Sequence, residues 1–336
     1  MTTESATEKL NKEIMQWGFQ YLTSHGYTLK NNLPEEVQNT PWSYVVRFIT
    51  SDGYIYLKHT PELLALEPAV IEVLRKQFHA SIPNIIAQNT GLNCFLMKDS
   101  GTSLRVILKQ KFDEALLCKA IDQFISLQLT VAERVDVFLG MGVPDWRINK
   151  FPDLYKELLS QKKVLIADGL TESELNQLEA LAPKILNLCQ TLSDSAIKPT
   201  IVQPDFNDNN TLVDTKSQNI TFIDLGEIAI SHPFFSLINC LHVIKKHHAI
   251  TDEIYLRIKD AALKNYLKFE SKNHIAEAFE IAQILFHVYG ALGSFRLMLA
   301  CDQSKFTVAF QRHGRPSMPL KELLTVLRST QTNQPE

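Results

Sequence analysis

The sequence predicts an α+β chain built as two lobes, a small sheet-rich front and a larger, mainly helical back. Three observations carry this. Four strand-like runs, "SYVVRFIT", "YIYLKHT", "SIPNIIAQ" and "NCFLMKD", all precede Ser100. From Asp99 on, apolar residues recur mostly at helical spacing. Short strand-like runs return only at "PTIVQ", "NTLVD" and "ITFID". The expected boundary puts residues 1–98 in the front lobe and 99–336 in the back lobe, with a ligand cleft between them.

The elements follow in order. Leu10, Ile14, Trp17 and Tyr21 recur at helical spacing, which predicts an N-terminal amphipathic helix. Ser51-Asp52-Gly53 separates two strand-like runs and predicts a tight hairpin, because glycine takes positive φ at no steric cost. Val45, Ile49, Ile55 and Leu57 suit a half-buried sheet. "PELLALEPAVIEVLRKQF" predicts a helix with Leu63, Leu66, Val70, Val73, Leu74 and Phe78 on one side and Pro68 near its start. Two more short strands flank Gly91. In the back lobe "FDEALLCKAIDQFISLQL" reads as a helix, and Thr171 three before Glu174 is a capping-box pattern.

Composition narrows the class. The chain has 336 residues, 45% hydrophobic and 21% charged, which supplies real cores and excludes a disordered chain. A net charge of −3 argues against nucleic-acid binding, which needs a basic excess. Cys94, Cys118, Cys189, Cys240 and Cys301 are scattered with no C-x-x-C pair, so neither a zinc site nor a disulfide framework is implied. The N-terminal stretch is polar and has no signal-peptide core. The apolar stretch "ILFHVYGALGSFRLMLA" carries His287 and Arg296 and is expected to be a buried helix near the C-terminus rather than a membrane span. A cytoplasmic protein without membrane or nucleic-acid partners is expected.

The chemistry concentrates in "QPDFNDNN" and "FIDLGE". Phosphoryl transfer needs a carboxylate to orient the attacking hydroxyl, oxygen ligands for Mg²⁺, and a cation on the phosphates. Asp205 follows a short apolar strand, and Asn210 lies five residues on, the spacing of a D-x-x-x-x-N loop. Asp224 ends the next apolar run. Carboxylate and amide oxygens are hard ligands that suit Mg²⁺ rather than zinc. Lys58 shares one sheet face with Tyr54 and Tyr56, while Ile55 and Leu57 point to the other. A lysine on a cleft-lining face needs a partner, and Glu67 in the next helix is the natural one, with Glu72 as runner-up.

In order along the chain, "YLKHT", Glu67 seven before Leu74, "SIPNII", "FLMKDSG", Asp205 to Asn210 and Ile223-Asp224-Leu225-Gly226-Glu227 resemble the aminoglycoside phosphotransferase family. These are small-molecule kinases with a protein-kinase-like fold. The resemblance spans roughly residues 40 to 240. It implies Asp205 as catalytic base, Asn210 and Asp224 as Mg²⁺ ligands, and Lys58 on the phosphates of ATP, positioned by Glu67. It implies that the backbone near Lys98 and Ser100 meets adenine, and that the acceptor is a small-molecule hydroxyl.

Two family positions differ: its histidine before the loop aspartate is Gln203, and a later aspartate is Ser236. Both replacements are neutral hydrogen-bonding groups, expected either to brace the loop through a different network or to mark a weakened, non-catalytic nucleotide-binding module. Nucleotidyl transfer is a third possibility. "QNTPWSYV" stands where the family places a glycine-rich loop. Asp208 is expected as an exposed turn acid, Glu227 as either a solvated loop acid or an indirect holder of a second metal, and "KKHH" as an exposed helix end. Acids and bases balance in the C-terminal region, Asp302 and Lys305 included, so no polycationic acceptor is signalled.

Overall fold

The structure is a computed structural model that describes residues 6–31, 33–301 and 315–332; Asp302 and Lys305 lie outside them. Helix α1 (Ala6–Ser24) lays Leu10, Ile14, Trp17, Tyr21 and Leu22 against a five-stranded antiparallel sheet. Its strands are β1 (Glu35–Thr40), β2 (Ser43–Thr50), β3 (Gly53–His59), β4 (Ile85–Asn89) and β5 (Cys94–Lys98), in the order β1-β2-β3-β5-β4. The β2–β3 hairpin pairs Thr50 with Gly53, and Gly53 sits at φ +118°, as the Asp-Gly pair predicts. Strand alternation sends Val46, Phe48, Ile55, Leu57 and Leu96 toward α1. Lys58, paired with Val45 and Phe95, therefore lies on the opposite face. Strand β1 has no counterpart among the sequence expectations. It is an exposed edge with few apolar side chains, so period-2 hydrophobicity cannot reveal it.

Helix α2 (Glu67–Phe78) begins after a separate 3₁₀ turn at Glu62–Leu64, with Pro68 in its first turn. The break corrects one expectation. Leu64 is buried, whereas Leu63 is 55% exposed and does not share the helix's apolar face. Val70, Ile71 and Leu74 pack with Phe95 and with Ile201, Leu225, Ile228 and Ile230 from the helical region. That cluster joins the sheet-bearing part to the rest of the chain without interruption.

Beyond the connector at Asp99–Gly101, β6 (Thr102–Ser103), β8 (Thr211–Val213) and β9 (Ile220–Phe222) form a three-stranded sheet, and β7 (Thr200–Val202) pairs with β10 (Ala229–Ser231). The remaining elements are helices: α3 (Leu104–Gln110), α4 (Glu114–Val131), α5 (Asp136–Gly140), α6 (Phe151–Ser160), α7 (Lys162–Ala167), α8 (Glu172–Ala180), α9 (Ala182–Ser193), α10 (Phe234–His247), α11 (Asp252–Leu263), α12 (Lys272–Ala300) and α13 (Ser317–Thr332). The capping box at α8 is present, with Thr171 Oγ1 accepting from the Glu174 N–H and Glu174 accepting from the Thr171 N–H. Helix α12 is longer than the apolar run that announced it. By length and composition it and the helical stretch Glu114–Arg134 could each cross a bilayer, yet about half of each lies inside the protein, in the main core.

Gly101 turns the chain between the two parts at φ +120°, a conformation that L side chains rarely adopt. A Cβ there would lie 2.4 Å from the Val213 carbonyl oxygen. Gly101→Ala is therefore expected to cost at least about 1–3 kcal/mol, read as a lower Tm. Gly140→Ala is the control: its Cβ would meet nothing within 4 Å, and stability should hold or rise. Equal Tm values for the two variants would refute this reading.

Candidate active site

Strand β3, the first turn of α2 and the segment after β9 meet around one ammonium group. Lys58 Nζ lies 2.6 Å from Glu67 Oε2 and 2.5 Å from Asp224 Oδ1. The lysine and glutamate side chains are 7% and 2% exposed, while Asp224 is 42% exposed to solvent. Burial alone would lower the lysine pKa, but the charges of Asp224 and Glu67 outweigh it and raise it above the ordinary value. Burial pushes Glu67 up, and Lys58 opposes that rise. Its second oxygen, Oε1, accepts the Leu225 N–H at 3.0 Å. Glu72, the runner-up partner, is exposed and pairs with Lys76 instead.

The loop 203–211 is fixed by local chemistry. Asn210 Nδ2 donates to Asp205 Oδ2 at 2.8 Å, and Asn207 Nδ2 donates to Asp205 Oδ1 at 2.6 Å. Asn207 Oδ1 in turn accepts the Asn209 N–H at 2.8 Å, a local Asx-type turn. So the loop is an Asx-rich turn that also brings together Asp205 and Asn210, two of the residues expected from the sequence. The β8–β9 register pairs Thr211 with Phe222, and the Ile223 N–H donates to the Asn210 carbonyl. This carries Asn210 alongside Asp224. Asp205 stays exposed to solvent. Surrounding protein and then the charge of Asp224 push its carboxyl up to about 6, against Asn210, Arg105 and Asn207. Water reaching the exposed carboxylate moderates that rise. Glu227, half-buried nearby, is pushed up to about 7 by burial and by Asp224 and Asp205, with Arg296 opposing.

No sequence-family model matches the chain, and no curated protein matches it in sequence. Solved structures do match in fold. A choline/ethanolamine kinase family protein from Mesorhizobium loti superposes with a TM-score of 0.60 at 12% identity, covering 94% of this chain and 95% of its own. Plasmodium vivax ethanolamine kinase gives 0.59 at 12% identity, covering 98% and 97%. An aminoglycoside phosphotransferase solved with GDP and kanamycin gives 0.57 at 13% identity, covering 95% and 99%. The chain has the fold of these small-molecule kinases.

Within this kinase-like fold, the two departures from the family pattern form one network. Gln203 Nε2 donates to the carbonyls of Ile223 at 2.7 Å and Asp224 at 3.0 Å. Ser236 Oγ accepts the Gln203 N–H at 2.9 Å and donates to the Gln203 carbonyl at 3.0 Å. Asp224 is held at φ +64° by these contacts. Two neutral side chains thus brace the loop from behind.

Other residues were invisible to local reading. Asp208 is fully buried, which overturns its expectation as an exposed turn acid. Arg105 donates to its Oδ1 from Nη2 at 2.8 Å and from Nε at 3.0 Å, and His248 Nε2 lies 2.7 Å from Oδ2. His248 is accordingly buried, while Lys245, Lys246 and His247 before it are exposed. Phe206 stacks on Phe124 at 3.9 Å and anchors the loop in the core. Lys98 and Ser100 are not brought to the Lys58 cluster. They border a separate groove of about 1050 Å³ with Tyr54, Asp99 and Asp214. In the connector the Lys98 N–H donates to Asn84 and the Asp99 N–H to Tyr54.

The donor set fits a hard divalent cation. Asp224 offers an exposed carboxylate, and Asn210 turns its Nδ2 to Asp205, leaving Oδ1 as the atom a cation would take. Among the described residues no three His, Cys, Asp or Glu side chains are close enough to hold a metal by themselves. Mg²⁺ needs no such cage, since it keeps waters and shares its shell with phosphates.

Replacing Gln203 by alanine strips the carbonyls of Ile223 and Asp224 of their donor. Gln203→Ala is expected to lose about 1–3 kcal/mol in chemical denaturation. Gln203→His, with an N–H still available, should retain part of that. An alanine variant within about 0.5 kcal/mol of wild type would show that the brace carries no load.

Proposed function

We propose that this chain is an ATP- and Mg²⁺-dependent phosphotransferase that moves the γ-phosphate to a hydroxyl of a small molecule. The observation that carries the reading is the convergence of Lys58, Glu67, Asp224, Asn210 and Asp205 through two strand registers and one ion triad centred on a buried lysine. The fold's neighbours add support: one is an ethanolamine kinase, and one was solved with GDP and kanamycin.

The roles follow from position. Asp205 orients the acceptor hydroxyl and takes its proton; a carboxyl raised toward neutrality is a stronger base than an ordinary aspartate. Lys58, fixed by Glu67, exchanges its contact with Asp224 for donor phosphate oxygens. Asp224 and Asn210 Oδ1 would hold Mg²⁺, which when bound offsets charge on the phosphates. The resemblance would put the adenine edge at the main chain of Lys98–Ser100, beyond the Lys58 cluster; the Lys98 and Asp99 N–H groups are spent on Asn84 and Tyr54, so carbonyls there would carry the contact. The competing reading, a non-catalytic nucleotide-binding module, rests on Gln203 and Ser236. Because those two rebuild a brace behind the loop, we favour an active enzyme.

The deciding experiment follows α- and γ-phosphate-labelled ATP with a panel of hydroxyl acceptors. Wild type should transfer only the γ label, and Asp205→Asn should lower turnover at least about 100-fold while ATP affinity stays within about threefold. Unchanged turnover in the variant would remove Asp205 as base. Transfer of the α label would make the reaction nucleotidyl transfer. Mg²⁺-tightened ATP binding with no transfer to any acceptor would leave the binding module.

A further inference from the structure

The segment that carries Asp224 has its main chain held at every residue from 223 to 228. Gln203 takes the carbonyls of Ile223 and Asp224, and Glu67 takes the Leu225 N–H. The carbonyls of the last three residues, Gly226, Glu227 and Ile228, all go to one side chain. Arg296, near the end of α12, donates from Nη1 to Glu227 O at 3.2 Å and to Ile228 O at 3.1 Å. Its Nη2 reaches Gly226 O at 3.5 Å and Leu63 O, in the turn before α2, at 3.4 Å. Leu297 and Met298 of the helix and Cys301 just after it pack on Leu64, with Trp42 of the β1–β2 turn against the same cluster. One turn of helix therefore touches the cation-bearing segment, the turn that leads into Glu67, and the tip of the first hairpin.

We propose that Arg296 is a positioning residue for Asp224. It fixes the 226–228 arm of the segment as Gln203 and Glu67 fix the 223–225 arm, and it ties that arm to the turn preceding Glu67. This rests on the phosphotransferase reading, in which Asp224 holds Mg²⁺. Arginine suits the task because its planar fork carries five donors, enough for four carbonyls at once; a lysine ammonium has three and no fixed geometry. Asp224 sits at positive φ, so relaxation of either arm would let its carboxylate swing away from Asn210. Groups that orient a metal ligand without touching the metal typically change metal affinity about 10- to 100-fold when removed.

The test compares Arg296→Lys and Arg296→Met with Leu297→Ala, which removes packing from the same turn without touching the carbonyls. ATP binding is titrated with Mg²⁺ and again in EDTA, and amide hydrogen exchange at residues 225–228 is followed in the ligand-free protein. Both Arg296 variants should need about 10- to 100-fold more Mg²⁺ to tighten ATP, keep metal-free ATP affinity within about twofold, and exchange faster at 225–228. Leu297→Ala should lower Tm and leave the Mg²⁺ requirement unchanged. If Arg296→Met fails to fold, Arg296→Lys, which keeps charge and bulk, decides. A wild-type Mg²⁺ requirement in Arg296→Lys, or an equal shift in Leu297→Ala, would overturn the proposal. If wild type itself shows no Mg²⁺-linked ATP binding, the phosphotransferase reading fails, and unchanged exchange at 225–228 would then sink the role of Arg296 separately.

Discussion

An ammonium group with almost no access to water must be paired, and Lys58 is paired twice. Much of the site's architecture answers to that constraint. The β3 register has to aim residue 58 away from α1. Helix α2 has to start where Glu67 can reach it, and the chain after β9 has to turn through positive φ to present Asp224. Removing Lys58 or Glu67, the two buried members, is expected to cost about 3–5 kcal/mol, because it strands the other's charge; Asp224, reached by water, carries less. The triad is thus a tie between the sheet and the helical region as well as a piece of chemistry. It has one solvent-facing member, Asp224, so the tie can exchange partners on one side without coming apart on the other.

The residues around this triad divide the work by type. Two carboxylates, Asp205 and Asp224, reach solvent, while the bonds that hold their segments from behind come from a glutamine, a serine, the buried Glu67 and the donor fork of an arginine. Asp208 is the instructive exception. It is an acid three residues from Asp205, yet Arg105 and His248 hold it in the interior, where it anchors the loop. Two aspartates of one short segment therefore have opposite fates, set by which partners the distant chain supplies.

That explains what the sequence makes legible. The α1 stripe, the Asp-Gly hairpin and the capping box depend on neighbours within a few residues, so their patterns survive in one dimension. Lys58, Glu67, Asp205, Asn210 and Asp224 are legible as a set because their spacing and order match a known arrangement, though no one of them is distinctive alone. Asp208 defeats local reading because its partners lie 103 and 40 residues away. Arg296 is hidden differently: its apolar surroundings announce a buried helix, and nothing nearby in sequence shows which carbonyls it will meet. Strand β1 lacks any apolar alternation to betray it.

The tip of the first hairpin has a consequence of its own. Thr40 pairs directly with Ser43 across Pro41-Trp42, and Thr40 Oγ1 accepts the Ser43 N–H. Proline fixes one of the two turn residues, and Trp42 packs on the cluster at the end of α12. In the family that the sequence resembles, this place is taken in some members by a glycine-rich loop. A glycine-rich flap loses its freedom each time a nucleotide arrives. This tip surrenders that freedom once, during folding, to proline, the Thr40–Ser43 pair and the packing of Trp42. The corollary is mechanical: the tip moves with the end of α12, on which Trp42 rests, rather than as a flap of its own.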